Sequence, residues 1–146
     1  MARDCSAGGE PVMAAKGLQA LMLVGGLVLL GVGGGILFAP GVFYEAYDID
    51  LFAQTGLYSE VRANGATLLI AGTLMLASLF RREIPSGVIL VGAVIYLPHG
   101  LGRLFSMLVD GLPASGLIIA AVAELLLGLL LLRALCWRLK RGTGAH

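Results

Sequence analysis

Arg62, Asn64, Tyr96, His99, Arg103 and Glu124 are polar or ionisable side chains set within long apolar stretches. Tyr96, His99 and Arg103 recur at i, i+3 and i+7, the spacing that places residues on one face of a helix. Imidazole and carboxylate are common carriers of general acid and base chemistry. Guanidinium and carboxylate are equally common partners in an ion pair. The two uses compete, because a carboxylate tied to an arginine is a poor base. What this set excludes is plainer. One histidine and one carboxylate are too few for a protein-held metal. No serine stands in a nucleophile elbow. Gly33-Gly34-Gly35 lies in an apolar run with no strand before it, so it is not a phosphate-binding loop. We therefore expect neither a metal nor another cofactor.

The elements that must position these residues are membrane helices. The chain is 58% hydrophobic and 13% charged, with a mean hydropathy of +0.93. A soluble domain carries about 25% charged residues. Lipid must cover the apolar surface that a water-soluble fold of this size has no room to hide. A formal net charge of +1 without a long basic run argues against nucleic acid as a partner. Cys5 and Cys136 show no CxxC or Cys/His spacing and are expected to be free thiols.

A helix needs about 20 largely apolar residues to cross a hydrocarbon core of about 30 Å. Four segments reach that length, at residues 17–38, 60–80, 86–108 and 114–136. They predict an all-α, integral membrane four-helix bundle. No stretch alternates as a barrel strand does. Pro40 and Gly41 stop the first span. Pro85 opens the third, where a missing N–H is tolerated. Asp110-Gly111-Leu112-Pro113 makes a turn so short that spans three and four must be antiparallel neighbours. The first span is too long for a signal-peptide core of about 7–15 residues. Residues 1–16 read as a cytoplasmic tail and residues 137–146 as a basic cytoplasmic tail.

Orientation follows from charge. Arg3, Lys16, Arg81, Arg82, Arg133, Arg138, Lys140 and Arg141 all flank one side of a four-span bundle. The first and third links carry no Lys or Arg, and the first holds Glu45, Asp48 and Asp50. The positive-inside rule then places both termini in the cytoplasm, as in a multi-pass protein of the cell inner (plasma) membrane. Tyr44, Tyr47, Tyr58 and Trp137 lie near span ends, where interfacial aromatics gather.

Glu124 lies roughly ten residues into the fourth span, or about 15 Å deep at ~1.5 Å per residue. A charge there is expected to face the bundle interior with a partner. Helical side chains lean toward the helix N-terminus. Arg103 and Glu124 sit on oppositely directed neighbours and so lean toward each other. We expect them to form an ion pair. Arg62 leans the other way and is expected to snorkel toward the headgroups. Asn64, Tyr96 and His99 complete a polar pocket in the outer half of the bundle. Pro98 removes a backbone hydrogen bond beside it, freeing the carbonyl of Val94, and a kink there would widen the pocket. Glycines 25, 26, 31, 33, 34 and 35 allow close helix approach, and Gly31 with Gly35 forms a GxxxG pair.

From about Gly17 to Leu135 the chain resembles the small bacterial four-helix membrane proteins catalogued as domain of unknown function 4345, near the broader DoxX-like group. The resemblance rests on Glu60-Val61-Arg62-Ala63-Asn64-Gly65, on Gly102-Arg103-Leu104 with Asp110-Gly111 following, on Glu124-Leu125-Leu126, and on Pro40. The family more often carries an apolar or aromatic residue where this chain has Asn64. The resemblance implies the fold and the membrane setting, and no activity.

The residues leave three functional readings. The leading one is a non-enzymatic protein that binds a small amphiphile (lipid, quinone or isoprenoid), or serves as an accessory subunit of a larger membrane complex. Membrane lipids are its expected partners, with a homo-oligomer or larger complex as further ones. The second is a small membrane enzyme that uses His99 and Glu124 as acid and base on a lipid-like substrate. A transporter is the weakest, because no polar residues continue from Glu124 to the cytoplasmic face.

Overall fold

The computed structural model describes residues 9–51 and 55–143. The chain forms α1 (Gly9–Phe38), α2 (Pro40–Glu45), α3 (Thr55–Ser78), α4 (Ser86–Val109) and α5 (Ser115–Thr143), with no strand among the described residues. Four of these helices are long and apolar enough to cross a membrane, over Ala15–Phe38, Thr55–Ser78, Ser86–Val109 and Ser115–Lys140. The protein is an all-α, multi-pass four-helix bundle.

Three boundaries differ from the sequence expectation. α1 begins at Gly9, so residues 9–16 are helical rather than an unstructured tail. α3 begins at Thr55 rather than near Glu60, because Thr55 to Ser59 form one further turn ahead of the apolar run. α5 continues to Thr143, which carries the basic segment on a helix. Cys5 and His146 lie outside the described residues, and Cys136 is a free, exposed thiol.

The helix ends have local causes. α1 stops at Phe38, Ala39 leaves helical geometry, and Pro40 then opens the short α2. A proline fits there because the first turn needs no N–H from it. At the end of α4 the Asp110 amide donates to the Ser106 carbonyl, and Gly111 follows at φ +99°. That left-handed geometry suits glycine and turns the chain sharply toward α5. α4 itself runs unbroken through Pro98.

Packing divides the bundle into two antiparallel pairs, α1 with α3 and α4 with α5. Contact between the pairs is much sparser. In the first pair, glycine removes the side chain that would keep the backbones apart. A Cβ on Gly33 would lie 2.5 Å from the Leu69 amide nitrogen, and one on Gly72 would lie 2.7 Å from the Leu30 amide nitrogen. Gly26 meets Gly72 and Gly33 meets Gly65, so glycines seven residues apart on each helix face each other. The Gly31–Gly35 pair, a spacing frequent by chance in so Gly-rich a helix, plays no such part. Gly31 has nothing near it, and Gly35 faces the ring of Phe43.

The core between the pairs is built from Met22, Leu29, Met75, Ile89, Tyr96 and Leu131. Leu126, Leu129, Leu130 and other large apolar side chains point outward. An exposed apolar band of this extent is a lipid-facing surface.

Candidate functional site

Sparse contact between two tightly packed pairs leaves room where they meet. A cavity of about 150 Å³ lies there, near the end of the bundle that carries α2. Every helix contributes to its wall. Val28, Leu29, Val32 and Ile36 come from α1, Leu68 from α3, and Leu117, Ala120, Ala123 and Leu127 from α5. A dry apolar cavity of about 150 Å³ accommodates a benzene-sized group.

Five of the six residues singled out from the sequence line this cavity: Asn64, Tyr96, His99, Arg103 and Glu124. Arg62 does not. It donates from a terminal nitrogen to the Leu37 carbonyl at 2.5 Å, near the C-terminal end of α1. That carbonyl lacks an intrahelical donor because α1 ends one residue later. The end of α1, the packing partner of α3, therefore holds this exposed guanidinium.

Arg103 Nε lies 3.0 Å from Glu124 Oε2, joining α4 to α5. The bond is single and side-on. The terminal nitrogens of Arg103 make no hydrogen bond among the described residues. The two side chains are 35% and 18% exposed, so the pair is half-buried at the cavity wall.

Tyr96 and His99 play different parts from each other. The Tyr96 ring is 2% exposed, and its hydroxyl donates to the Gly25 carbonyl at 2.6 Å. It is a strut between α4 and α1, and its polar atom is already used. His99 Nδ1 sits 2.9 Å from the Ile95 carbonyl. A carbonyl only accepts, so Nδ1 carries the hydrogen and, in the neutral ring, Nε2 is an acceptor. No buried side-chain nitrogen or oxygen lacks a partner among the described residues, so the unbonded Nε2 is accessible rather than sealed in. The Asn64 amide likewise has no hydrogen bond among the described residues and borders the same space.

The sequence reading missed α2. It treated residues 40–50 as a link, and Tyr44 and Tyr47 as interfacial aromatics. Phe43, Tyr44 and Tyr47 instead line the cavity, with the Phe43 ring 5.6 Å from each tyrosine ring. Tyr47 also reaches α5, where a Cβ on Gly116 would lie 2.9 Å from its ring. α2 thus packs on the α1–α3 pair, and Tyr47 in the turn after it reaches across the cavity end to α5. The available signal was Pro40, a helix-opening residue, followed by aromatics at 43, 44 and 47, one turn apart. Burial pushes the Tyr44 phenol above its ordinary value against the opposing charge of Arg103, so it remains a hydrogen-bond donor at neutral pH.

Two residues lining the cavity are themselves exposed. Val28 lines it and is yet 43% exposed, and Ala123 on the facing helix is exposed too. Residues that border the cavity are thus also exposed on both α1 and α5. Among the described residues no group of three His, Cys, Asp or Glu side chains is placed to hold a metal.

Fold and site together define a small multi-pass membrane protein with a cavity bordered by polar side chains. A family model described as domain of unknown function (DUF4345) matches residues 17–135, and the chain belongs to that family. No curated protein and no solved structure matches it.

Proposed function

We propose that the protein binds a single-chain amphiphile without transforming it, with the polar head in the cavity and the tail leaving between α1 and α5. One observation carries this reading: a mostly apolar cavity of ring size, bordered by a few polar side chains and lined in part by residues that are also exposed on the bundle. Such a site matches a molecule that is itself apolar along its length and polar at its tip. Catalysis is less well supported, because the one carboxylate lining the cavity is held by Arg103 and a general base needs to be free. The protein reads equally as a ligand-carrying subunit of a larger membrane complex.

Native mass spectrometry of the detergent-purified chain tests the reading. The wild type is expected to carry a lipid-sized adduct. Ala120→Phe, which fills the cavity from α5, is expected to weaken that adduct roughly tenfold, equivalent to about 1.4 kcal/mol. Equal adduct occupancy in the variant and the wild type would show that binding lies elsewhere.

We further propose that both termini are cytoplasmic and that the α2 end faces outward across the inner membrane. The one-sided distribution of Lys and Arg supports this. Leu112, 80% exposed in the link at the α2 end, gives a direct test. In a chain with Cys5 and Cys136 replaced by serine, Leu112→Cys should react with a membrane-impermeant maleimide added to intact cells. Arg82→Cys, at the opposite end, should not. The reverse labelling pattern would invert the topology.

A further inference from the structure

The hydrogen-bonding groups around the cavity specify more than an amphiphile. Arg103 has terminal N–H groups to give, and the Tyr44 hydroxyl remains protonated. In the neutral ring His99 Nε2 is an acceptor, since Nδ1 serves Ile95. His99 and Arg103 stand four residues apart on α4, so their side chains are neighbours on one face. One small group within reach of both must accept and donate at once. A hydroxyl does this, whereas an ether or ester oxygen only accepts.

Charge narrows the choice further. The guanidinium and the Glu124 carboxylate already neutralise each other at 3.0 Å. An anionic head would meet that carboxylate and leave an extra charge in a low-dielectric wall, which is costly. A cationic head would meet the guanidinium. An uncharged head disturbs neither. The cavity as a whole has room for one ring.

We propose, resting on the amphiphile-binding reading above, that the cavity takes an uncharged, ring-sized head bearing a hydroxyl group, whose hydrogen goes to His99 Nε2 and whose oxygen accepts from the Arg103 terminal nitrogens. The ring packs among Leu68, Ala120 and Leu127, and the alkyl tail leaves past Val28 and Ala123. Tyr96 forms part of the wall but gives the ligand no hydrogen bond, since its hydroxyl is committed to Gly25.

Four probes of similar length separate the outcomes: 4-octylphenol, 4-octylanisole, octylbenzene and dodecyl phosphate. Their affinities for the detergent-solubilised full chain are measured by calorimetric titration. 4-Octylphenol is expected to bind roughly tenfold tighter than 4-octylanisole, the loss of a single hydrogen bond. Dodecyl phosphate is expected to bind no better than octylbenzene. His99→Phe should erase the preference for phenol over anisole while leaving octylbenzene binding intact. Equal binding of phenol and anisole would overturn the hydroxyl assignment while leaving the amphiphile site standing. Tightest binding of dodecyl phosphate would replace it with an anion site. Failure of all four probes to bind would remove the amphiphile reading and this inference with it. The comparison of probes on the unsubstituted protein decides the matter even where the histidine variant does not fold.

Discussion

Replacing Gly33 with alanine lowers the stability of the bundle by about 3 kcal/mol, near the top of the range for overpacking a well-packed interface. The new Cβ would lie 2.5 Å from the Leu69 amide nitrogen and 2.8 Å from the Gly65 carbonyl oxygen. Both are backbone atoms of α3, so no rotamer change makes room. α1 and α3 must move apart along their contact, which loosens the Gly26–Gly72 approach as well. Helix propensity works in the opposite direction, since alanine is favoured over glycine by about 1 kcal/mol in a helix interior. Gly31→Ala isolates that term, because a Cβ there meets nothing within 4 Å. It is expected to be neutral or to stabilise by up to about 1 kcal/mol. Thermal unfolding of the two variants in detergent gives the comparison. A Gly33→Ala protein that melts with the wild type would mean that the helices are not held at backbone contact.

The contrast between Gly33 and Gly31 also shows where sequence reading stops. The four spans were legible because about 20 apolar residues in a row fit little besides a membrane crossing. The turn at Asp110 to Pro113 was legible because Asp, Gly and Pro each carry a strong local preference. The contact between Arg103 and Glu124 was legible because charged side chains in a membrane have few places to go and the short turn fixed which helices are neighbours. The glycine contacts were not. A chain with 22 glycines offers many apparent motifs, and the rotation of α1 against α3 decides which of them faces a neighbour. α2 was overlooked for a different reason. Six residues carry too little periodicity to reveal a helix, and the reach of Tyr47, just beyond it, to Gly116 is a long-range contact. For Arg62 the direction of its lean was legible, and its partner was not. The carbonyl at the end of α1 became a partner only once α1 and α3 were packed side by side.

Removing either member of the Arg103–Glu124 pair is expected to destabilise the bundle by about 1.5–3 kcal/mol, the usual range for a hydrogen bond to a charged group. A fully buried pair would cost about 3–5 kcal/mol when broken. The lower range applies because Arg103 is 35% exposed and the bond is single rather than bidentate. Glu124→Leu leaves a guanidinium at the cavity wall with no carboxylate beside it. Arg103→Leu leaves a carboxylate at the cavity wall with no guanidinium beside it. The double replacement strands neither group. It should therefore cost less than the sum of the two single changes, with a coupling of about 1–2 kcal/mol. Thermal or denaturant unfolding of the four proteins in one detergent measures it. Additivity to within about 0.5 kcal/mol would mean that the two side chains act independently. Glu124 would then be a carboxylate free to take and return protons, and the acid–base reading with His99 would gain ground. A clear coupling instead makes the pair a brace between α4 and α5, whose neutrality keeps the neighbouring cavity suited to an uncharged head.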